Sequence, residues 1–225
     1  MRSLRAVIAT AITGEAPANL GDLGDWEQSL DGFDPEGDSG SVYVWPPCYL
    51  VEAYEMLADS EIPDIDPNVA SGVRFFADSL RQLIEADEGS GKQWEGVCAA
   101  AFIQRMLESH FLSEGLITQG KLTPGAEELV LEAVLEGCRF GGVFQPRSDD
   151  LIKKDNSADF ERLRERFLRW LEIGDRPALK KGRTAFFVKP KIALFPKYDF
   201  FIFIVEDGTV VDIYGYQCTT SPSRR

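Results

Sequence analysis

Apolar residues in this chain follow a helical period first and an extended one later. Val73, Phe76, Leu80, Leu83 and Ile84 recur at intervals of three and four between Val69 and Ala86, which predicts one amphipathic helix with an acidic outer face. Gly91 to Leu107 (GKQWEGVCAAAFIQRML) carries apolar and small residues on several faces and predicts a buried helix. Thr123-Pro124 opens another helix, which Gly137 ends. A further stripe of Phe160, Leu163, Phe167, Trp170 and Leu171 predicts a helix from about Ser157 to Ile173, stopped by Gly174. The period then changes. Arg183 to Val188 (RTAFFV), Tyr198 to Val205 (YDFFIFIV) and Val210 to Thr219 (VVDIYGYQCT) predict strands, the second apolar on both faces and so central in its sheet. Asp207-Gly208 between the last two predicts a two-residue type I′ hairpin.

The first ninety residues are less regular. Residues 14–40 are rich in Gly, Asp, Pro and Ser and read as a long loop. Asp34, Glu36 and Asp38 fail as a calcium loop, because the glycine and the closing glutamate such a loop needs are Ser39 and Trp45 here. Val42 to Leu57 reads as a short strand, a Pro46-Pro47 break and a helix. The opening MRSLRAVIATAITGEAPA has the basic start, apolar run and small residues of a signal peptide. The run is short and interrupted by threonines, so an edge strand or loose terminus is the favoured expectation and a signal peptide the weaker alternative. Glu85 to Gly91 is a polar break. It divides the chain into an acidic, loop-rich and helical region (1–90) and a mixed helix-and-strand region (91–225).

Charge sharpens that division. The net charge is −13, but residues 1–90 hold 4 Lys/Arg against 18 Asp/Glu (−14), and the remainder holds 20 against 19 (+1). A wholly basic nucleic-acid coat is thereby excluded. No apolar run approaches the ~20 residues that span a bilayer, which excludes a membrane protein. The four cysteines Cys48, Cys98, Cys138 and Cys218 are too scattered for a zinc site and read as buried free thiols. With His110 the sole histidine, multi-histidine metal sites are excluded as well. GSGK at Gly89 to Lys92 does not bind nucleotide as a P-loop does, since Ala86 and Gln93 occupy the positions of the first glycine and the Ser/Thr.

Three polar residues stand in apolar surroundings. Glu95 lies in the first turn of the buried helix, where it needs a metal, a basic partner, or the solvent and dipole of a helix end. Asp199 begins the central strand, either as a solvated strand start or as a carboxylate for metal chemistry. Gln217, followed by Cys218 and Thr219, lies in the third strand, and a hairpin turning at Asp207-Gly208 makes it a neighbour of Asp199. Upstream, Arg176, Lys180, Lys181, Arg183, Lys189, Lys191 and Lys197 form an acid-free stretch. It suits a nucleic-acid phosphate track, or equally a strand edge guarded by lysines against aggregation.

Taken in order, GKQWEGVCAAAFIQRML, FPKYDFFIFIV and VVDIYGYQCT resemble the PD-(D/E)xK restriction-endonuclease-like superfamily. The closer likeness is to the nuclease-like domain of Crinkler effectors and retrotransposon hot spot proteins, and it spans roughly residues 90–219. The resemblance implies an α/β (α+β) restriction-endonuclease-like core of a helix and a three-stranded, mainly antiparallel sheet. It implies Mg²⁺ held by Glu95, Asp199 and the Cys218 carbonyl, with Gln217 as the third catalytic residue, and hydrolysis of nucleic acid. It further implies a nuclear location, or secretion as an effector that enters a host nucleus. Two departures point to a degenerate, inactive copy. Thr219 stands where the family has its catalytic lysine, which Lys191 or Lys197 would have to replace, and the family's final helix and strand would be missing. A non-catalytic module that binds a protein partner is the alternative.

Overall fold

Aromatic and β-branched residues near the end of the chain pair into the sheet on which the rest of the molecule packs. The computed structural model describes residues 2–13, 17–19, 66–85, 91–117, 134–153, 155–173, 182–192 and 194–218. Over these the chain forms helices α1 (Arg2–Thr13), α2 (Pro67–Glu85) and α3 (Gly91–Ser113), strand β1 (Arg139–Phe144), a 3-10 turn (Asp149–Leu151), helix α4 (Asn156–Ile173), and strands β2 (Arg183–Val188), β3 (Phe200–Glu206) and β4 (Thr209–Tyr216).

The sheet has four strands in the order β1-β2-β3-β4, with β1 parallel to β2 and the other pairs antiparallel. This corrects the expected three-stranded, mainly antiparallel sheet to a mixed one. The fold is a mixed α/β arrangement. Strand β1, RFGGVF, was hidden by its paired glycines, which break any alternation of apolar and polar residues. Gly141 is there for space: a Cβ would stand 2.5 Å from Thr184 Cγ2 and 2.6 Å from the Phe186 ring. The ladder shifts register at the same place, between Phe140 and Gly142. Parallel pairing requires a crossover between the two strands, and α4 lies within that connection.

Strand β3 is buried on both faces, with Phe200 through Val205 at most 1% exposed. On one face Phe200, Ile202 and Ile204 join Ala185 and Phe187 against Ile8 of α1, Val73 and Phe76 of α2, and Ile103 and Leu107 of α3. On the other, Phe201, Phe203 and Val205 join Phe186 and Val188 against Leu163 and Phe167 of α4. The stripe expected for α4 is the one it uses. Described residues on either side of position 90 therefore share one core.

The opening segment is a helix, not a strand or a loose end. Ala6 through Thr10 are buried in succession, and packing overrides the β-propensity of Val, Ile and Thr. Its end is held by two polar contacts: Thr13 Oγ1 donates to the Ala9 carbonyl (2.8 Å) and Gln104 Nε2 to the Ile12 carbonyl (2.7 Å). Within the predicted loop, Pro17 bridges to Ile117. The Asp34–Asp38 stretch, the Val42–Leu57 elements and most of the Thr123–Gly137 helix lie outside the described residues. No helix among the described residues is long and apolar enough to cross a membrane.

At the predicted hairpin turn, Asp207 and Gly208 take φ values of 48° and 82°, the paired positive angles of a type I′ turn. That turn sets the pairing of Glu206 with Thr209 and Val205 with Val210; a one-residue shift between Ile204 and Val205 then resets the register that continues to Phe200 and Tyr216.

Candidate functional site

The ends of β3 and β4 away from the turn lie beside the first turns of α3. Phe200 pairs with Tyr216, so Asp199 falls opposite the end of β4. Its backbone N–H donates to the Tyr216 carbonyl (2.8 Å), and its carboxylate Oδ2 accepts the Cys218 N–H. The two bonds fix both the backbone and the side chain of Asp199 against the outgoing strand. Tyr198, one residue earlier, turns to the α4 face and packs edge-on to Phe201 (5.4 Å between centroids).

Cys218 joins this strand end to the helix. Its thiol packs against the core on the α3 side and is hydrogen-bonded to Cys98. Burial pushes the Cys218 thiol far above its ordinary range. The adjacent Cys98 adds to the shift, followed by the Asp199 and then the Glu95 carboxylate, both of which disfavour a thiolate. Glu95 and Cys98 are three residues apart on α3, one turn along the same side. Cys98 and Asp199 thus both engage Cys218, and Glu95 lies one turn before Cys98 on the same side of α3, within electrostatic reach of that thiol. Below it, Tyr216 stacks on Phe200 (5.3 Å) and meets Phe102 of α3 edge-on (4.6 Å). Its buried hydroxyl has no hydrogen-bond partner, and burial followed by the neighbouring Tyr214 raises its pKa to about 12.

The expected site residues divide on this geometry. Asp199 and Cys218 are in direct contact, and Glu95 lies within electrostatic reach of the Cys218 thiol with no direct contact to either. Gln217 lies beyond β4 and is exposed, not deep within the strand as its apolar neighbours suggested. Thr219 lies outside the described residues, as do Arg176, Lys180 and Lys181. Among the remaining basic residues, Arg183 Nη1 donates to the Glu136 carbonyl (3.1 Å) and Lys191 is exposed. Lys189 stands 6.0 Å from the Phe75 ring, on the α2 side of the sheet, whereas Lys197 stands 5.1 Å from the Tyr198 ring, on the α4 side. These two lysines flank opposite faces and do not continue one line of charge.

Cys98 is the member of the cluster that sequence patterning passed over. Its spacing from Glu95 was visible, but nothing local connects it with Cys218. Of the four cysteines, Cys98, Cys138 and Cys218 are half-buried thiols that form no disulfide among the described residues, and Cys48 lies outside them. A buried ion pair on the same helix also escaped notice: Arg105 and Glu108 meet at 2.9 Å with side chains 9% and 3% exposed.

Among the described residues, no group of three or more His, Cys, Asp or Glu side chains stands in a metal-holding arrangement. The hard donors are the two carboxylates. Burial disfavours a thiolate at Cys218, whose soft sulfur is in any case a poor donor for a hard cation, and one Asp199 oxygen already accepts a backbone N–H. Such a set suits a cation like Mg²⁺ that keeps most of its waters and takes one or two protein carboxylates alongside substrate phosphate; it does not make a closed protein cage. No protein-family model, curated protein or solved structure matches this chain.

Proposed function

We propose that this chain carries a nuclease-like phosphodiester site in weakened form, centred on Glu95 and Asp199. One observation supports the reading above others: the two carboxylates, from a helix and from a strand start, act on the same Cys218 thiol at the end of the neighbouring strand. Glu95 and Asp199 would hold Mg²⁺, with the Cys218 carbonyl and the Gln217 amide at the rim. When bound, the ion supplies charge for the developing phosphorane and lowers the pKa of its water. The protein's own part is positional. The Cys218 N–H orients the Asp199 carboxylate, and the Tyr216–Phe200–Phe102 aromatics give it a dry floor.

Thr219 supplies no ammonium to position an attacking water, a contribution on the order of 10²- to 10⁴-fold where a positioned proton-transfer group exists. Little or no cleavage of nucleic acid is therefore expected from the chain as it stands. A nuclear location goes with the same reading. The assay is supercoiled plasmid and single-stranded RNA, with and without Mg²⁺, for the wild type, Thr219→Lys and Glu95→Ala. Metal-dependent nicking by Thr219→Lys that Glu95→Ala abolishes in the same background supports the site. Nicking that ignores Glu95 removes it.

A second reading, a non-catalytic module that binds a protein partner, gains from the Asp199 oxygen already engaged by backbone and from the absence of a third ligand among the described residues. It predicts partner binding unchanged by Glu95→Ala and Asp199→Ala.

A further inference from the structure

The connection from β2 to β3 holds two non-glycine residues in left-handed backbone conformation, Leu194 (φ 67°) and Lys197 (φ 71°). Side chains other than glycine avoid that region, and such strain persists only where the surroundings enforce it. Here they do. The Tyr198 N–H closes a three-residue turn onto the Pro196 carbonyl (2.9 Å), the rare γ-turn shape. Phe195 and Tyr198 are both braced edge-on against Phe201, at 5.7 and 5.4 Å. Leu194, meanwhile, is held 92% exposed at the tip.

Between this loop and the start of α4 lies a cavity of about 370 Å³ lined by Phe160, Glu161, Phe195, Pro196, Lys197 and Tyr198. Three aromatic rings form its walls, an ammonium stands 5.1 Å from one of them, and a carboxylate lies at its rim. Aromatic walls accept a flat ring and Lys197 suits an attached phosphate, while Glu161 is paired with Arg164 at 3.9 Å. An aliphatic ligand would leave the Lys197 charge unused. The loop ends at Asp199, but the cavity lies on the α4 face of the sheet and the Cys218 thiol on the α3 face, so the two are separate sites.

We propose that this cavity receives one unpaired nucleobase of a single-stranded nucleic acid, with Phe195 and Tyr198 as its stacking walls and Lys197 on the adjoining phosphate. The proposal rests on the nucleic-acid reading above and adds to it a preference for single strands and a base-binding subsite.

The test is fluorescence anisotropy of a labelled single-stranded dodecamer and of the same strand in duplex. It is run in EDTA on the full chain, comparing wild type, Phe195→Leu, Lys197→Gly and Asp212→Asn. Phe195→Leu keeps most of the volume but removes the ring, and it should weaken single-strand binding about 5- to 100-fold. Lys197→Gly relieves the positive φ, so it should weaken binding without lowering the melting temperature. Asp212→Asn, at an exposed β4 carboxylate outside both sites, should leave binding within about twofold. A 5-iodouridine strand should cross-link to Phe160, Phe195 or Tyr198. Binding indifferent to Phe195→Leu, or cross-links elsewhere, overturns the pocket and leaves the phosphodiester reading to the cleavage assay. Phe195-dependent binding with a silent Thr219→Lys upholds the pocket and removes the phosphodiesterase. Protection of these rings by an acidic tryptophan-containing peptide, with no strand bound, would assign the cavity to a protein partner and overturn the nucleobase.

Discussion

The two ends of the β3–β4 hairpin are built on different kinds of information. At the turn, two adjacent residues suffice: Asp207 and Gly208 adopt φ 48° and 82°, and little else is needed to reverse the chain. At the opposite end nothing is complete within the hairpin. Asp199 finds Cys218 through strand pairing, but Glu95 and Cys98 arrive on a helix from more than half the chain away. The turn is a local structure that reverses the chain, and a one-residue shift between Ile204 and Val205 separates its register from that of the far end. The site is a tertiary structure.

This contrast can be broken at three places. The largest effect should come from the core beneath both ends. Phe167 is fully buried and touches the rings of Phe144, Trp170, Phe186 and Phe203. Phe167→Ala should cost about 3–5 kcal/mol in urea unfolding, with turn and site lost in one transition. A smaller loss would mean the α4 face collapses around the cavity or carries less of the fold than its packing implies.

A local lesion at the turn comes next. Gly208→Val forces a β-branched residue to φ 82° and should cost about 1–2 kcal/mol. The Cys218 amide, held by Asp199 at the far end, should keep its rank among protected amides in hydrogen exchange. Selective loss of its protection would show that the two ends are not separable.

The smallest effect at neutral pH should come from Tyr216→Phe. The deleted hydroxyl is buried without a partner, so stability should change by less than about 0.5 kcal/mol or rise slightly. High pH reveals the difference. Folding raises the Tyr216 pKa from 10.0 to about 12, so the protonated phenol's contribution is intact below pH 10 and is lost as pH rises through about 12. The Phe variant should therefore lose stability less steeply between those values. Equal slopes would mean that the phenol is hydrated in solution.

The same contrast explains what the sequence disclosed. Helices α2 and α4, strands β2 and β3, and the turn carry period, composition or a two-residue code within themselves, and each was legible. Strand β1 was not, because Gly141 answers to the Phe186 ring across the sheet and leaves no alternating pattern. Helix α1 was missed because its short run is rich in Val, Ile and Thr, which favour strands locally, and its helical form depends on packing against α3. Within the site, Glu95 and Asp199 stood out as acids in apolar segments. Gln217 stood out for the same reason and proved exposed, since apolar neighbours do not reveal where a strand stops. Cys98 and Cys218 could be paired only by the fold.

The central claim is that Glu95, Asp199 and the Cys218 backbone form one cation-binding spot. The direct measurement is paramagnetic broadening of backbone amide resonances by substoichiometric Mn²⁺, standing in for Mg²⁺, in wild type and Asp199→Ala. The account predicts that amides around Glu95, Asp199 and Cys218 broaden together and that Asp199→Ala restores all three. Broadening centred on Asp34 to Asp38, or persisting around Glu95 and Cys218 in Asp199→Ala, would contradict it.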